Sequence, residues 1–267
     1  MKSKTGFIRI STIVLIASSF IFLILQIVFA QSAPTGPNTL TIQSNGRYSQ
    51  NNQSGQAISA QAGNVTEFLV SQRRATEAWQ GYYGNITGTI TLDDANNQTL
   101  YDWSLPNPTG EVFASTVSAV DWTNVTCLNV SHLNNGCNPS GCSQTNNSVI
   151  EAAYGINITD HDGLNETFNG FYTDATGFYV GAINFNIADA CSMANPYTDE
   201  GASAAWQEVL LIAAQSSSLI FTSIVRENAN DFKATSTTAD FQMLVLENGH
   251  VGSEITSTPY WFFVELS

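Results

Sequence analysis

The sequence predicts an all-β protein: an antiparallel β-sandwich, Ig-like or related, with a cysteine-containing loop and one short helix inserted. Three observations predict it. Short apolar runs of strand length recur along the chain, each closed by Asn, Asp, Gly, Ser or Pro. One run, Trp79 to Leu92, alternates with a period of two. Beyond residue 30 the best helix signal is only about two turns long, and no repeat of fixed period is present.

The elements follow in order. Val65 to Val70 suits a strand that opens the globule. Trp79 to Leu92 places Tyr82, Ile86, Ile90 and Leu92 on a core face and Asn85, Thr87, Thr89 and Thr91 on a wet face. Asp93 to Gln98 has turn chemistry and Thr99 to Trp103 returns, which predicts a hairpin. Pro106 and Pro108 punctuate, and Glu111 to Val120 resumes β character. Cys127 to Cys142 reads as loop. Ser148-Val-Ile-Glu151 matches a capping box, with Gly155 ending the helix. Phe178 to Ile187 suits a strand. Glu208–Ile212 and Leu219–Val225 flank Ala213 to Ser218 as a second hairpin. Phe241 to Leu246 suits a buried strand before the turn pair Asn248-Gly249, and Tyr260 to Leu266 a last one.

Three regions emerge. Residues 1–30 carry Lys2, Lys4 and Arg9, then an apolar run from Ile10 to Ala30 ending in Val28-Phe-Ala30, the pattern of a secretory signal. At about 20 residues the run also suffices as a retained membrane anchor through residues 10–30. Residues 31–62 are rich in Ser, Gln and Asn, a stalk whose Thr39–Gln43, with Leu40 and Ile42, offers a short donor strand. Residues 63–267 form the globule, with the loop and helix inserted at about 127–165. Either fate of the N-terminus puts the remainder outside the cytoplasm, extracellular or at the cell surface.

Composition agrees. Apolar residues make up 43%, enough for a packed core, but charged residues only 11%, well below the roughly 25% of ordinary soluble domains. After residue 30, five basic residues face 22 acidic ones, a net of −17. Such a surface repels phosphate backbones and excludes nucleic acid as a partner. Four cysteines lie in the exported part. An even number there implies disulfides, and Cys137–Cys142 with Cys127–Cys191 is the favoured pairing among three.

Nine N-x-S/T sequons occur, at Asn52, Asn64, Asn85, Asn97, Asn124, Asn129, Asn146, Asn157 and Asn165. All lie before residue 168, and none falls in the last hundred residues. They make N-linked glycans the expected modification.

Candidate chemistry is sparse. Asp93, Asp94, Asn96 and Asn97 offer oxygen ligands to Ca²⁺, but turns favour the same residues. Asp160, Asp162, Asn165 and Glu166 make a better Ca²⁺ candidate, because Asp160-His-Asp-Gly163 resembles the front of a calcium loop. No glutamate follows at the required distance, and an acidic turn also accounts for the segment. No other cofactor is implied. His132, His161 and His250 form no metal-ligand pattern, and no nucleophile elbow, P-loop or dinucleotide fingerprint is present. A non-enzyme is therefore expected. A secreted hydrolase would need His161 or His250 beside a nucleophile or acid pair.

The blocks Trp79-Gln-Gly-Tyr-Tyr-Gly-Asn-Ile-Thr-Gly-Thr-Ile-Thr-Leu-Asp-Asp-Ala-Asn96, Thr99-Leu-Tyr-Asp-Trp103 and Gly110-Glu-Val-Phe-Ala-Ser115 resemble a family of uncharacterised archaeal secreted or cell-surface proteins. So do Asp162-Gly-Leu-Asn-Glu-Thr-Phe168, Asp240-Phe-Gln-Met-Leu-Val245 and Glu247-Asn-Gly-His250. The resemblance spans about residues 70–267 and implies an archaeal envelope origin. It brings no activity or cofactor.

Taken together these features predict a glycosylated surface protein with a structural or adhesive role, an envelope component or a filament subunit joined by strand addition. The alternative is a carbohydrate- or solute-binding module with a groove lined by some of Trp79, Tyr82, Tyr83, Trp103 and Trp122. Those aromatics also suit a core.

Overall fold

A computed structural model of the chain describes residues 32–47, 55, 57–130, 147–157, 159–196, 206–227, 229–230, 232–233, 237–247 and 257–266. The chain order is β1 (Trp79–Gly84), β2 (Gly88–Asp93), β3 (Thr99–Leu105), β4 (Gly110–Ser115) and β5 (Val125–Cys127). Two short helices follow, α1 (Asn147–Ala153) and α2 (Leu164–Thr167). Next come β6 (Gly170–Phe171), β7 (Phe178–Val180), β8 (Ile183–Phe185), a 3-10 turn (Ile187–Asp189) and β9 (Ser192–Ala194). The last strands are β10 (Glu208–Ala213), β11 (Ser218–Ile224), β12 (Ala229–Asn230), β13 (Thr238–Ala239), β14 (Phe241–Leu246) and β15 (Trp261–Leu266).

The fold is all-β and sandwich-like. Its centre is an antiparallel sheet in the order β15-β4-β11-β10-β9-β6, with β5 also paired to β10. Strands β10 and β11 are apolar without alternation because both their faces are covered. On one face Leu210, Phe221, Val112 and Ala114 meet Met243 and Val245 of β14, Ile150 of α1, and Leu164 and Phe168 from α2 and its end. On the other face Phe113, Val209, Leu211 and Ile220 meet Phe178, Val180 and Phe185 of the β7–β8 hairpin, with Tyr172 and Met193.

The covering layer is tied down by polar groups as well. Strand β14 pairs with β1 and docks on the central sheet through two bonds: Leu244 N–H donates to the Glu208 carboxylate at 2.8 Å, and Ser223 Oγ donates to Gln242 O at 2.8 Å. The Cys127–Cys191 disulfide joins β5 to the segment before β9, with Cα atoms 5.0 Å apart. It closes a loop of sequence separation 64, worth about 4 kcal/mol in the chain-entropy account. Cys137 and Cys142 lie outside the described residues.

Several expectations need correction. The alternating run Trp79–Leu92 is two strands, not one. Asp240 ends the first: its N–H donates to Gly84 O at 2.9 Å, and its carboxylate accepts from Ile86 N at 2.8 Å. Strand β1 then pairs with β14, whereas β2 leaves to pair with β3. Phe178–Ile187 is likewise a two-strand hairpin followed by a 3-10 turn. Val65–Val70 is in no strand and is exposed, so the packed globule begins near Ala78, not at residue 63. Helix α1 forms where expected, and Gly155 ends it at φ 68°. Glu151, however, turns inward and accepts from Leu164 N at 2.9 Å instead of closing a capping box on Ser148. The second helix, α2, was not expected.

The N-terminal arm meets the globule at Ala33, beside Gly181, and at Thr35. Thr35 forms a single antiparallel bridge with Val264 on the outer edge of β15, through bonds of 3.1 and 2.8 Å. Pro34 and Pro37 stand nearby; a proline offers no N–H and so shortens such pairing. Beyond it Leu40 and Ile42 are exposed.

Candidate functional site

The β2–β3 hairpin is the feature with the most unusual surface. Its register pairs Ile90 with Trp103 and Leu92 with Tyr101, so these four share one face. The opposite face carries Thr89 with Ser104, Thr91 with Asp102, and Asp93 with Thr99. The apolar face was expected to pack inward. Instead Ile90, Leu92, Tyr101 and Trp103 are each about half exposed. Two-stranded hairpins are marginal alone. This one is held at its base, where Gly88 faces Leu105 and the Leu266 side chain of β15 closely enough that an added Cβ would lie 3.0 and 3.2 Å away. Tyr101 and Trp103 brace each other, with ring centroids 4.8 Å apart. An apolar stripe thus runs from Leu266 outward toward the tip.

The tip is a turn. The Asp94 carboxylate accepts from Asn96 N and Gln98 N at 2.8 and 2.9 Å, and Asn97 adopts φ 60°. Those bonds, to Gln98 first, hold the Asp94 carboxyl below its ordinary range. Asp93 accepts from Thr91 Oγ1 at 2.8 Å, and Thr99 and then Thr91 keep its carboxyl low. Both side chains are thus occupied by local donors.

The second acidic segment is dispersed among structural duties. Asp160 accepts from Asn157 N at 2.9 Å. The Asp162 carboxylate accepts from Thr76 Oγ1 at 2.5 Å, and its carbonyl accepts from Trp79 Nε1 at 2.6 Å. The Glu166 carboxylate lies toward Glu151, across Gly163, where an added Cβ would stand 2.6 Å from one and 2.9 Å from the other. Asn165 is exposed. No group of three or more His, Cys, Asp or Glu positioned to hold a metal occurs among the described residues. His161 is exposed, and among the described residues it has no hydrogen-bond or ion-pair partner. His132 and His250 lie outside the described residues.

The five candidate groove aromatics separate. Trp79 packs in the first core against Phe168 and Phe221, and Trp122 in the second against Phe113 and Phe263. These cores lie on opposite faces of the central sheet, so no groove joins them. Tyr82 stacks edge-on against Phe262, and Tyr83 against Phe232 with Lys233 over its ring. Trp103 alone stands out on the hairpin. An open depression beside α1, lined by Thr116, Val149, Ala153, Tyr154, Ser218 and Thr258, gathers no ionisable group except Tyr154 among the described residues.

The sequons sort by burial. Asn64, Asn85, Asn97, Asn124, Asn157 and Asn165 are exposed. Asn129 differs from these: it is buried, and its Nδ2, the atom that would carry the sugar, donates to Ala190 O at 3.0 Å. Asn52 and Asn146 lie outside the described residues. Asn85 precedes β2 and Asn97 sits in the turn, so neither strand of the hairpin holds a glycan-acceptor asparagine.

One class of residue was missed from sequence. Glu111, Glu151, Glu208 and Glu265 are all buried. Burial first pushes the carboxyls of Glu111, Glu151 and Glu208 up, Glu111 to about 8. The signal was available, since Glu111 and Glu208 stand in strands that are otherwise apolar. Charge also divides along the chain. Residues 31–77, before the packed globule, hold Arg47, Arg73 and Arg74 against Glu67 and Glu77, a net of +1, and Arg74 lies 3.5 Å from Glu77. Residues 78–267 hold Arg226 and Lys233 against 20 acids, a net of −18.

Comparison of the chain with family models, with curated proteins and with solved structures gives no match. Among the described residues no helix is long and apolar enough to cross a membrane.

Proposed function

We propose that this chain is an extracellular, N-glycosylated surface protein with a structural or adhesive role, an envelope component or filament subunit that self-associates by strand addition. The observation that carries the reading is the split between a net-positive arm, exposing Leu40, Ile42, Val65, Phe68, Leu69 and Val70, and an acidic globule with uncovered strands. Like-charged globules repel, whereas arm and globule attract. The exposed sequons favour contact with the medium, and the resemblance to archaeal surface proteins suggests an envelope setting.

Negative-stain imaging of the purified full-length protein tests assembly. Filaments or a lattice are expected, and dispersed monomers at all concentrations would end the reading. Intact mass of the native protein tests the sugar load and removal of residues 1–30. The exposed Tyr101–Trp103 pair favours a second reading, a carbohydrate-binding module with those rings as the platform. It predicts that soluble oligosaccharides quench Trp fluorescence in wild type and not in Trp103→Ala.

A further inference from the structure

We propose that the acceptor for strand addition is the β2–β3 hairpin, and that its occupant is Val65–Val70 of a second copy of this chain. The inference rests on the assembly reading above and names the two surfaces that join.

The hairpin has what an acceptor needs. It is a sheet of two strands, with no third strand beside β2 or β3 among the described residues. A third strand and a covered apolar face are what such a unit requires for stability. Its apolar stripe is open, and the acceptor asparagines Asn85 and Asn97 lie outside both strands.

Val65–Val70 has what a donor needs. Val-Thr-Glu-Phe-Leu-Val is six residues long, as is β2, and contains no Pro or Gly. Val65 and Leu69 are fully exposed and Val70 nearly so, in a segment that belongs to no strand. In an extended strand Phe68 and Val70 project from one face, placed to continue the stripe of Trp103 and Ile90. Thr39–Gln43 is the weaker donor, having only two apolar side chains.

Charge selects the pairing. Arg73 and Arg74 directly follow the donor and outweigh its Glu67, Arg74 lying 3.5 Å from Glu77, whereas the hairpin carries Asp93, Asp94 and Asp102 and no basic residue. No Lys or Arg occurs between Arg74 and Arg226, so hairpin against hairpin is repulsive and donor against hairpin attractive. In the single chain Val65–Val70 stays off its own hairpin, which leaves that surface to another copy.

The test uses full-length chains carrying Phe68→Asp with Leu69→Asp, or Trp103→Asp, beside wild type and a Leu40→Asp/Ile42→Asp control. All are exposed positions, so circular dichroism should stay as in wild type. Sedimentation velocity reads the assembly. The first two variants are expected to need at least about tenfold more protein to associate, and the control to behave as wild type. Mixed together, the two variants should form a dimer that neither forms alone, since one keeps the hairpin and the other the donor. Asp102→Arg should weaken association, and Arg73→Asp/Arg74→Asp should restore it. Wild-type assembly that survives both variants, or that is lost in the Leu40→Asp/Ile42→Asp control instead, would overturn the inference and leave the assembly reading standing. Wild type that never associates would overturn both. A donor docked on its own hairpin would appear as monomers that mixing does not change, and would overturn the choice of a second copy.

Discussion

Glu111 and Glu265 stand directly opposite each other on β4 and β15, both buried, with the backbone N–H of Tyr179 at one carboxyl and that of Gly181, at 2.8 Å, at the other. The last strand of the chain is thus joined to the sheet across a pair of acids. Burial first, and the Glu265 charge second, push the Glu111 carboxyl up from 4.5 to about 8; the Tyr179 N–H pulls the other way. Nearby, burial first and then Asp174 and Glu111 push the Tyr172 hydroxyl up to about 12.

The first prediction follows from that pair. The Glu111 carboxyl is neutral in the folded chain over a pH range where the unfolded chain ionises it. Its contribution is whole below the unfolded value of 4.5 and is lost as pH rises through about 8. The melting temperature should therefore fall between about pH 4 and pH 9, with a loss of up to about 5 kcal/mol from Glu111. Glu111→Gln should flatten the curve. A melting temperature that climbs over that interval would contradict the assignment.

Glu208 gives the second. It is fully buried at the centre of the sheet, and one carboxyl oxygen accepts from Leu244 N while the other has no partner. Burial raises its carboxyl well above the ordinary range, against the Leu244 bond. Glu208→Gln keeps an acceptor for Leu244 and removes the ionisable proton. It should be stabilising at pH 7 and nearly neutral at pH 3. Glu208→Ala leaves Leu244 N–H unpaired and a cavity behind it, and should be destabilising at both. Urea melts at the two pH values distinguish these outcomes.

How much of this was legible in the sequence depends on how local the cause was. The β10–β11 hairpin, β14 and β15 fell where apolar run length and turn residues put them. The break inside Trp79–Leu92 was hidden, because the residue that makes it, Asp240, is 154 positions away from Ile86. Period two is continuous through Asn85-Ile-Thr87, so alternation could not report the change of partner. For the same reason Ile90 and Leu92 read as core: periodicity shows that a strand has an apolar face and not what covers it. Asp94 and Glu151 show the converse. Their types suited metal or capping, and geometry gave Asp94 to its own turn and Glu151 to the Leu164 N–H.

Gly110 carries the third prediction. It opens β4 at φ +126°, and a Cβ there would lie 2.0 Å from Glu265 O and 3.1 Å from Leu266 Cα. Both obstacles are backbone of β15, so no side chain can move aside. Gly110→Ala should push β15 off the sheet at its Leu266 end, at a cost of about 3 kcal/mol or more. Because Leu266 also supports the hairpin base at Gly88, the Trp103 fluorescence environment should change with it. Gly36→Ala, where an added Cβ meets nothing within 4 Å, is the control and should be neutral.

The last prediction concerns sugar placement. An N-linked glycan is joined to the asparagine Nδ2, so a site must present that atom to solvent. Asn129 is 1% exposed, its Nδ2 is engaged with Ala190 O, and the adjacent Val130 N–H donates to Ser192 Oγ at 2.9 Å beside the Cys127–Cys191 disulfide. A sugar there would have to break the bonds that hold β5's continuation to the segment before β9. Glycopeptide mapping of native protein should find sugar among Asn64, Asn85, Asn97, Asn124, Asn157 and Asn165, and none at Asn129. Asn129→Asp removes the donor and should lower stability by about 1 kcal/mol or more. Asn85→Gln, at an exposed link between strands, should lose a glycan and leave stability nearly unchanged. Full occupancy at Asn129 would mean that this part of the chain folds differently from the arrangement described.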